Sequence, residues 1–141
     1  MTAIYEYHHQ VTDDEIDGLG HASNLAFVRW MQDAALAHSA YQGWDTERYY
    51  KLGAVWVVRS HHIEYLRPAF AGDPLVVQTW VSSFKRISSV RKYKMKRLTD
   101  GQPLAIAETN WVFVSQQQLA PRRIPPELSD AFELVPENQE P

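Results

Sequence analysis

The stretch over residues 17–44, DGLGHASNLAFVRWMQDAALAHSAYQGW, limits what this chain can fold into more than any other. Asp17 and His21 sit in a glycine-containing loop, and a long apolar segment follows at once. Ser23 and Asn24 are residues that accept hydrogen bonds from the free N–H groups opening a helix. Gly43 stands where a helix of about five turns places its C-terminal glycine. Between them Leu25, Ala26, Phe27, Val28, Trp30, Met31, Ala34, Ala35, Leu36 and Ala37 cover most of the circumference. Arg29, Gln32 and Asp33 leave only a narrow polar stripe. A helix lying on a protein surface shows a broad polar face, so this pattern predicts an enclosed one. Its polar breaks are too frequent for a membrane span.

The rest of the chain supplies what can enclose it. Residues 4–11 are β-branched and aromatic and read as a first strand, followed by an acidic loop over 13–17. Residues 45–53, with Tyr49, Tyr50 and Leu52, read as a short helix or an ordered loop. A long strand over 54–66 is stopped by Pro68, with Val55, Val57, Arg59, His61, Ile63 and Tyr65 expected on one face. Gly72-Asp73-Pro74 is a turn into a strand over 75–84. A strand over 87–98 turns Lys92, Lys94 and Lys96 towards water, and Asp100-Gly101 is a hairpin signal before the last strand, 104–114. A tail from about residue 116 carries Pro121, Pro125 and Pro126 and a short helix around 127–132. The links after residue 54 are too short for crossover helices, so the sheet is expected to be antiparallel. One early helix followed by paired strands is an α+β layout, here read as one domain over residues 1–141. The strand over 54–66 is apolar and unbroken by proline, and a bare edge of that kind aggregates. Two copies are therefore expected to pair along it, as a homodimer or, doubled again, a homotetramer.

Composition removes several classes of function. Without cysteine there is no disulfide, no thiol catalysis and no thiolate metal site, which fits a cytoplasmic chain. Residues 1–8 are polar and acidic, unlike the apolar core of a secretion signal. A net charge of −3 argues against nucleic acid as a general partner. Neighbouring histidines in a strand, His8 with His9 and His61 with His62, point to opposite faces. With no H-E-x-x-H spacing either, no metal is expected, and the polar breaks in the long helix leave no membrane partner expected.

The run Asp17-x-x-x-His21-x-x-Asn24-x-x-Phe27-x-x-Trp30-x-x-Asp33 resembles the loop-and-helix signature of the hotdog-fold acyl thioesterases. It is similar without gaps to the acyl-carrier-protein thioesterases. Asp17 and Gly20 also match the 4-hydroxybenzoyl-CoA thioesterase group, whose catalytic acid opens the same loop. Phe84-Lys85-Arg86 before Ser88 resembles the aromatic-basic-basic turn that this group uses on the nucleotide of CoA. The resemblance, over about residues 4–115, implies a hotdog fold, a long central helix wrapped by a curled antiparallel sheet. It implies an acyl-CoA thioesterase with no cofactor, coenzyme A being part of the substrate. Three positions depart from the pattern. Leu19 replaces an Asn of the acyl-carrier-protein group, Asp33 replaces its Glu, and His21 stands where the other group is apolar.

Hydrolysing a thioester needs a group that attacks or activates water, and donors for the oxyanion that forms. With no Cys and no G-x-S-x-G elbow, a carboxylate must serve, as nucleophile or as general base. Asp17 is the candidate, since its loop leads into a helix N-terminus with free N–H groups and a positive dipole end. Amides around Ala22 to Asn24 are the expected oxyanion hole, with His21 orienting Asp17 or donating to the carbonyl. Gly20, Ala22, Arg59, Lys85, Arg86 and Ser88 complete the expected substrate contacts. The plainer uses are an Asx turn for Asp17 and a solvated turn for Lys85 and Arg86. Arg91, Lys92, Lys94, Lys96 and Arg97 are read as the wet face of a strand. A hotdog hydratase or dehydratase, or a non-catalytic acyl-CoA binder, would use the same helix.

Overall fold

A computed structural model describes residues 3–141. The chain forms β1 (Tyr5–Gln10), a 3₁₀ turn (Asp13–Glu15), α1 (Asn24–Tyr41) and α2 (Thr46–Leu52). Then come β2 (Ala54–Tyr65), β3 (Pro74–Phe84), β4 (Ser88–Arg97), β5 (Pro103–Ser115) and a one-turn α3 (Pro126–Ser129). The strands make a five-stranded sheet in the order β1-β3-β4-β5-β2. Every neighbouring pair is antiparallel. The sheet does not close into a barrel, so β1 and β2 are its edges. This is the hotdog arrangement expected from the sequence.

The caps that start and stop α1 are those expected. Ser23 Oγ accepts the Ala26 N–H at 3.2 Å, and Gly43 takes a left-handed φ of 93° just past the end, where a side chain would be strained. The helix lays Ala26, Phe27, Trp30, Met31 and Ala34 onto Leu75, Val77, Tyr93, Met95, Ala105 and Ala107 of the sheet. Strand alternation supplies that apolar face, because Tyr93 and Met95 point inwards while Lys92, Lys94 and Lys96 point out.

Two expectations about faces need correction. The helix is not enclosed on all sides: Leu25 is 80% exposed and Leu36 61% exposed. They lie on one open stripe with Arg29, Gln32 and Ala40, because a five-stranded sheet covers only one side of a helix. The predicted alternation along β2 is also broken. Val58 pairs with Trp111 and Ser60 with Asn110, which leaves Arg59 in a bulge. One extra residue reverses the faces beyond it. The inner row is therefore Trp56, Val58, His61, Ile63 and Tyr65, opposite Phe113, Trp111, Thr109, Ala107 and Ala105.

The proline-containing tail is packed rather than trailing. Ile124, Leu128 and Phe132 close a second core with Trp44, Tyr49, Val81 and Phe113. Backbone bonds from Arg122 to the Phe113 carbonyl and from Val135 to the Val81 carbonyl hold it there. Among the described residues no helix is long and apolar enough to cross a membrane.

Candidate active site

The Asp17 loop is held by a residue that its acidic neighbours disguise in the sequence. The Glu15 carboxylate accepts the Trp30 indole N–H at 2.8 Å and the Thr12 N–H at 2.9 Å, and meets the His9 ring at 2.8 Å. Burial works to raise its pKa, but these hydrogen bonds together outweigh burial and hold it below the usual carboxylate range. The Glu15 carbonyl accepts the Ser23 N–H at 3.0 Å, and the Ala69 carbonyl accepts the Ala22 N–H at 2.8 Å. Within the loop the Asp17 N–H donates to the His21 carbonyl at 2.9 Å. Gly20 adopts the left-handed φ of 86° that closes the turn.

Asp17 itself makes the Asx turn, its Oδ1 accepting the Leu19 N–H at 2.9 Å. The same oxygen lies 4.0 Å from His21 Nδ1, and the two side chains are 34% and 36% exposed. No hydrogen bond to Asp17 Oδ2 occurs among the described residues, so the turn occupies one carboxylate oxygen and leaves the other to solvent. Leu19, at the position of the missing Asn, is 81% exposed and offers the site nothing polar.

The expected oxyanion donors are narrowed. The amides of Ala22 and Ser23 are already committed to Ala69 and Glu15, so neither serves an incoming oxyanion. Ala22 is moreover buried. The remaining candidates are the amides of Asn24 and Leu25, the first two positions of α1, which an α-helix leaves without internal partners. Asn24 is exposed at the same helix end, and its backbone carbonyl accepts the Tyr65 hydroxyl at 3.5 Å.

Lys85, Arg86 and Ser88 lie elsewhere. Lys85 and Arg86 are exposed in the turn from β3 to β4, closed by a 2.8 Å bond from the Lys85 N–H to the Ser88 carbonyl. With Phe84, Arg123, Ile124 and Pro126 they line a shallow groove. Arg123 was missed because it sits in the tail, remote in sequence from the turn it joins. The Asp17 loop sits by Ala69, just before β3, whereas the basic turn follows the end of β3, about 30 Å away at strand rise. One chain therefore does not bring the two groups together. Arg59, exposed in its bulge on the free edge of β2, belongs to neither.

Beside the basic turn a cavity of about 210 Å³ opens between α1 and the sheet, walled by Leu36, Tyr49, Trp56, Phe84, Trp111 and Phe132. Phe84 lines both the cavity and the groove. Arg91 also lines the cavity, which overturns its expected place on a wet strand face. It is only 6% exposed, and its Nη1 donates to His38 Nδ1 at 2.9 Å and to Thr79 Oγ1 at 3.1 Å. Burial lowers its pKa, yet a guanidinium stays charged. The sequence held the signal: Arg91 shares the parity of Tyr93 and Met95, not that of the lysines. Lys92 faces outwards and pairs with Glu140 at 2.8 Å, whereas the Arg97 side chain, 13% exposed at the end of the strand, pairs with Asp73 at 2.9 Å.

The histidine pairs divide as strand geometry requires. His9 meets Glu15, whereas His8 is exposed. His61 is 2.7 Å from Thr109 Oγ1, and His62 approaches Glu64 at 3.6 Å. Among the described residues no group of three or more His, Asp or Glu is placed to hold a metal ion.

Comparison with known proteins bears on the family and the fold. A family model described as the thioesterase-like superfamily matches residues 11–132. The chain is 28% identical over 109 residues to the chloroplastic oleoyl-acyl carrier protein thioesterase 2 of Arabidopsis thaliana, covering 72% of the chain and 29% of that relative. The chain thus spans under a third of the length of that curated relative. A 1,4-dihydroxy-2-naphthoyl-CoA thioesterase from Synechocystis superimposes with a TM-score of 0.83 at 19% identity, covering 91% of this chain and 94% of the other. A Staphylococcus aureus protein solved in complex with CoA gives 0.84 at 16% identity, with 91% and 80% covered. At such identities these two structures speak for the fold.

Proposed function

The chain belongs to the thioesterase-like superfamily, and from that premise we propose that it hydrolyses acyl-CoA thioesters to free acid and CoASH. The observation that carries the proposal is Asp17: a carboxylate with one oxygen free, fixed by a pinned loop at the start of α1. Either Asp17 attacks the thioester carbonyl and water cleaves the resulting anhydride, or Asp17 takes a proton from the attacking water. In both routes the carbonyl oxygen gains charge near the Asn24 and Leu25 amides and the positive end of the helix dipole. His21, its Nδ1 4.0 Å from Asp17 Oδ1, donates to the carbonyl or positions Asp17 in this reading. The reaction asks for no cofactor beyond the CoA of the substrate.

The separation within one chain argues for a site made by two copies. Helix α1 runs opposite to β2, with Asn24 meeting Tyr65 at one end and Leu36 sharing the cavity with Trp56 at the other. The edge of β2 is unpaired by other strands. A two-fold pairing of that edge would bring the start of one α1 beside the first half of the second copy's β2, where the cavity opens. One copy then supplies Asp17. The other supplies the cavity, together with Lys85, Arg86 and Arg123 for the phosphates of CoA, which suit cations at the mouth.

A thiol-release screen over acyl-CoAs of varied length, repeated with acyl-carrier-protein thioesters, tests this reading. Hydrolysis predicts one equivalent each of thiol and free acid, with CoA esters favoured. A shifted or hydrated double bond without thiol release would instead mean a hydratase, and binding without products would mean a carrier.

A further inference from the structure

The cavity between α1 and the sheet holds a charge that the hydrolytic chemistry does not call for. Its walls are aromatic and aliphatic, yet Arg91 lines it, almost wholly buried. Among the described residues no carboxylate forms a salt bridge with Arg91, although an unpaired buried charge is costly to a fold. Both of its hydrogen bonds leave from Nη1, to His38 and Thr79. A guanidinium has only donors, so His38 Nδ1 must be the acceptor, and this pair fixes the plane of the group. The Phe132 ring lies 5.9 Å from the guanidinium carbon. Among the described residues the Nε–Nη2 edge, with three N–H groups, meets no acceptor, and neither nitrogen is sealed from solvent without a partner. That edge is the fork that takes a carboxylate by two parallel hydrogen bonds.

We propose that this cavity selects acyl groups whose far end carries a carboxylate, the apolar walls holding the methylene chain and the Nε–Nη2 edge of Arg91 holding the anion. The inference rests on the thioesterase reading, since it names the acyl class of that same site. The products would be a dicarboxylic acid and CoASH, with water as the only other reactant.

The test compares adipoyl-CoA with hexanoyl-CoA, equal in chain length and different at the far end. The wild type is expected to favour adipoyl-CoA in kcat/KM by at least about tenfold, the scale of hydrogen bonds to a charged group. In Arg91→Met that ratio should fall to one or below, and in Arg91→Lys, which keeps charge without the fork, it should lie between. Because Arg91→Met removes two buried hydrogen bonds and can unfold the core, a second arm uses only the wild type. Free hexanoate should raise its melting temperature and hexanamide should not. Hydrolysis of both esters without preference, or preference for hexanoyl-CoA, overturns the inference and leaves the hydrolytic activity standing. If neither ester is hydrolysed and the wider acyl-CoA screen also releases no thiol, the hydrolytic reading fails. The carboxylate site then stands on stabilisation by hexanoate and falls without it.

Discussion

At the scale of single residues, the account rests on Asp17 and on the residue that fixes its loop. Asn at position 17 keeps the Asx turn but can neither attack as an anion nor accept a proton usefully. Asp17→Asn should therefore lower kcat by roughly 10²–10⁴ with the melting temperature near wild type. Hydrolysis by the folded variant at more than a tenth of the wild-type rate would remove Asp17 from the chemistry. Glu15 predicts the reverse pattern, since it ties β1, the loop and Trp30 of α1 together. Glu15→Gln should cost about 1–3 kcal/mol of stability, the worth of hydrogen bonds to a charged group. The pKa of Glu15 is depressed in the folded state, so its contribution is complete above the ordinary glutamate range and fades as pH falls through the lowered value. Urea melts from pH 7 to pH 3 should thus show variant and wild type converging at the acid end. A constant gap would mean that the charge is not the source. Asp17 could be proposed from the sequence because Gly20, Ser23 and the helix beyond frame it, and because the run from Asp17 to Asp33 resembles the thioesterase signature. Glu15 could not, since its partners lie on three separate elements.

At the scale of elements, alternation and capping made the strands and α1 legible to within a residue or two, because they depend on neighbours in the chain. What failed depended on contacts across it. The bulge at Arg59 is set by the β2–β5 ladder, and no residue in the run marks it. Arg91 was grouped by charge with lysines of the opposite parity, and only its buried partners His38 and Thr79 show that parity was the better guide. The basic turn carries its own prediction. Replacing Lys85 and Arg86 with Ala should raise KM for CoA esters several-fold and leave kcat much closer to wild type, because the reacting carbonyl is remote from the nucleotide. Both side chains are exposed, so the effect should shrink at high salt. Adding Arg123→Ala should deepen it, since Arg123 lines the same groove. An unchanged KM in the triple variant would return the turn to an ordinary solvated surface.

At the scale of the whole molecule, one chain shows the parts of a site but not their assembly. Asp17 stands at one end of the sheet, and the cavity and the basic turn stand at the other. The exposed stripe of α1 with Leu25, Arg29, Gln32 and Leu36 and the free edge of β2 remain open between them. No sequence argument could have revealed this division, because the motifs were read along the chain and the site is proposed across two. Light scattering at micromolar concentration should find at least two chains per particle. Subunit mixing puts the central claim to the most direct trial. Asp17→Asn protein and Lys85→Ala/Arg86→Ala protein are unfolded together, refolded at equal amounts, and assayed for thiol release at an acyl-CoA concentration below the wild-type KM. If the acid comes from one copy and the phosphate grip from the other, each mixed dimer holds one intact site. Activity should then return to about a quarter of the wild-type rate, half the sites in the half of the dimers that are mixed. If the mixture only averages the two parent activities, the acid and the grip act within one chain and the composite site is wrong.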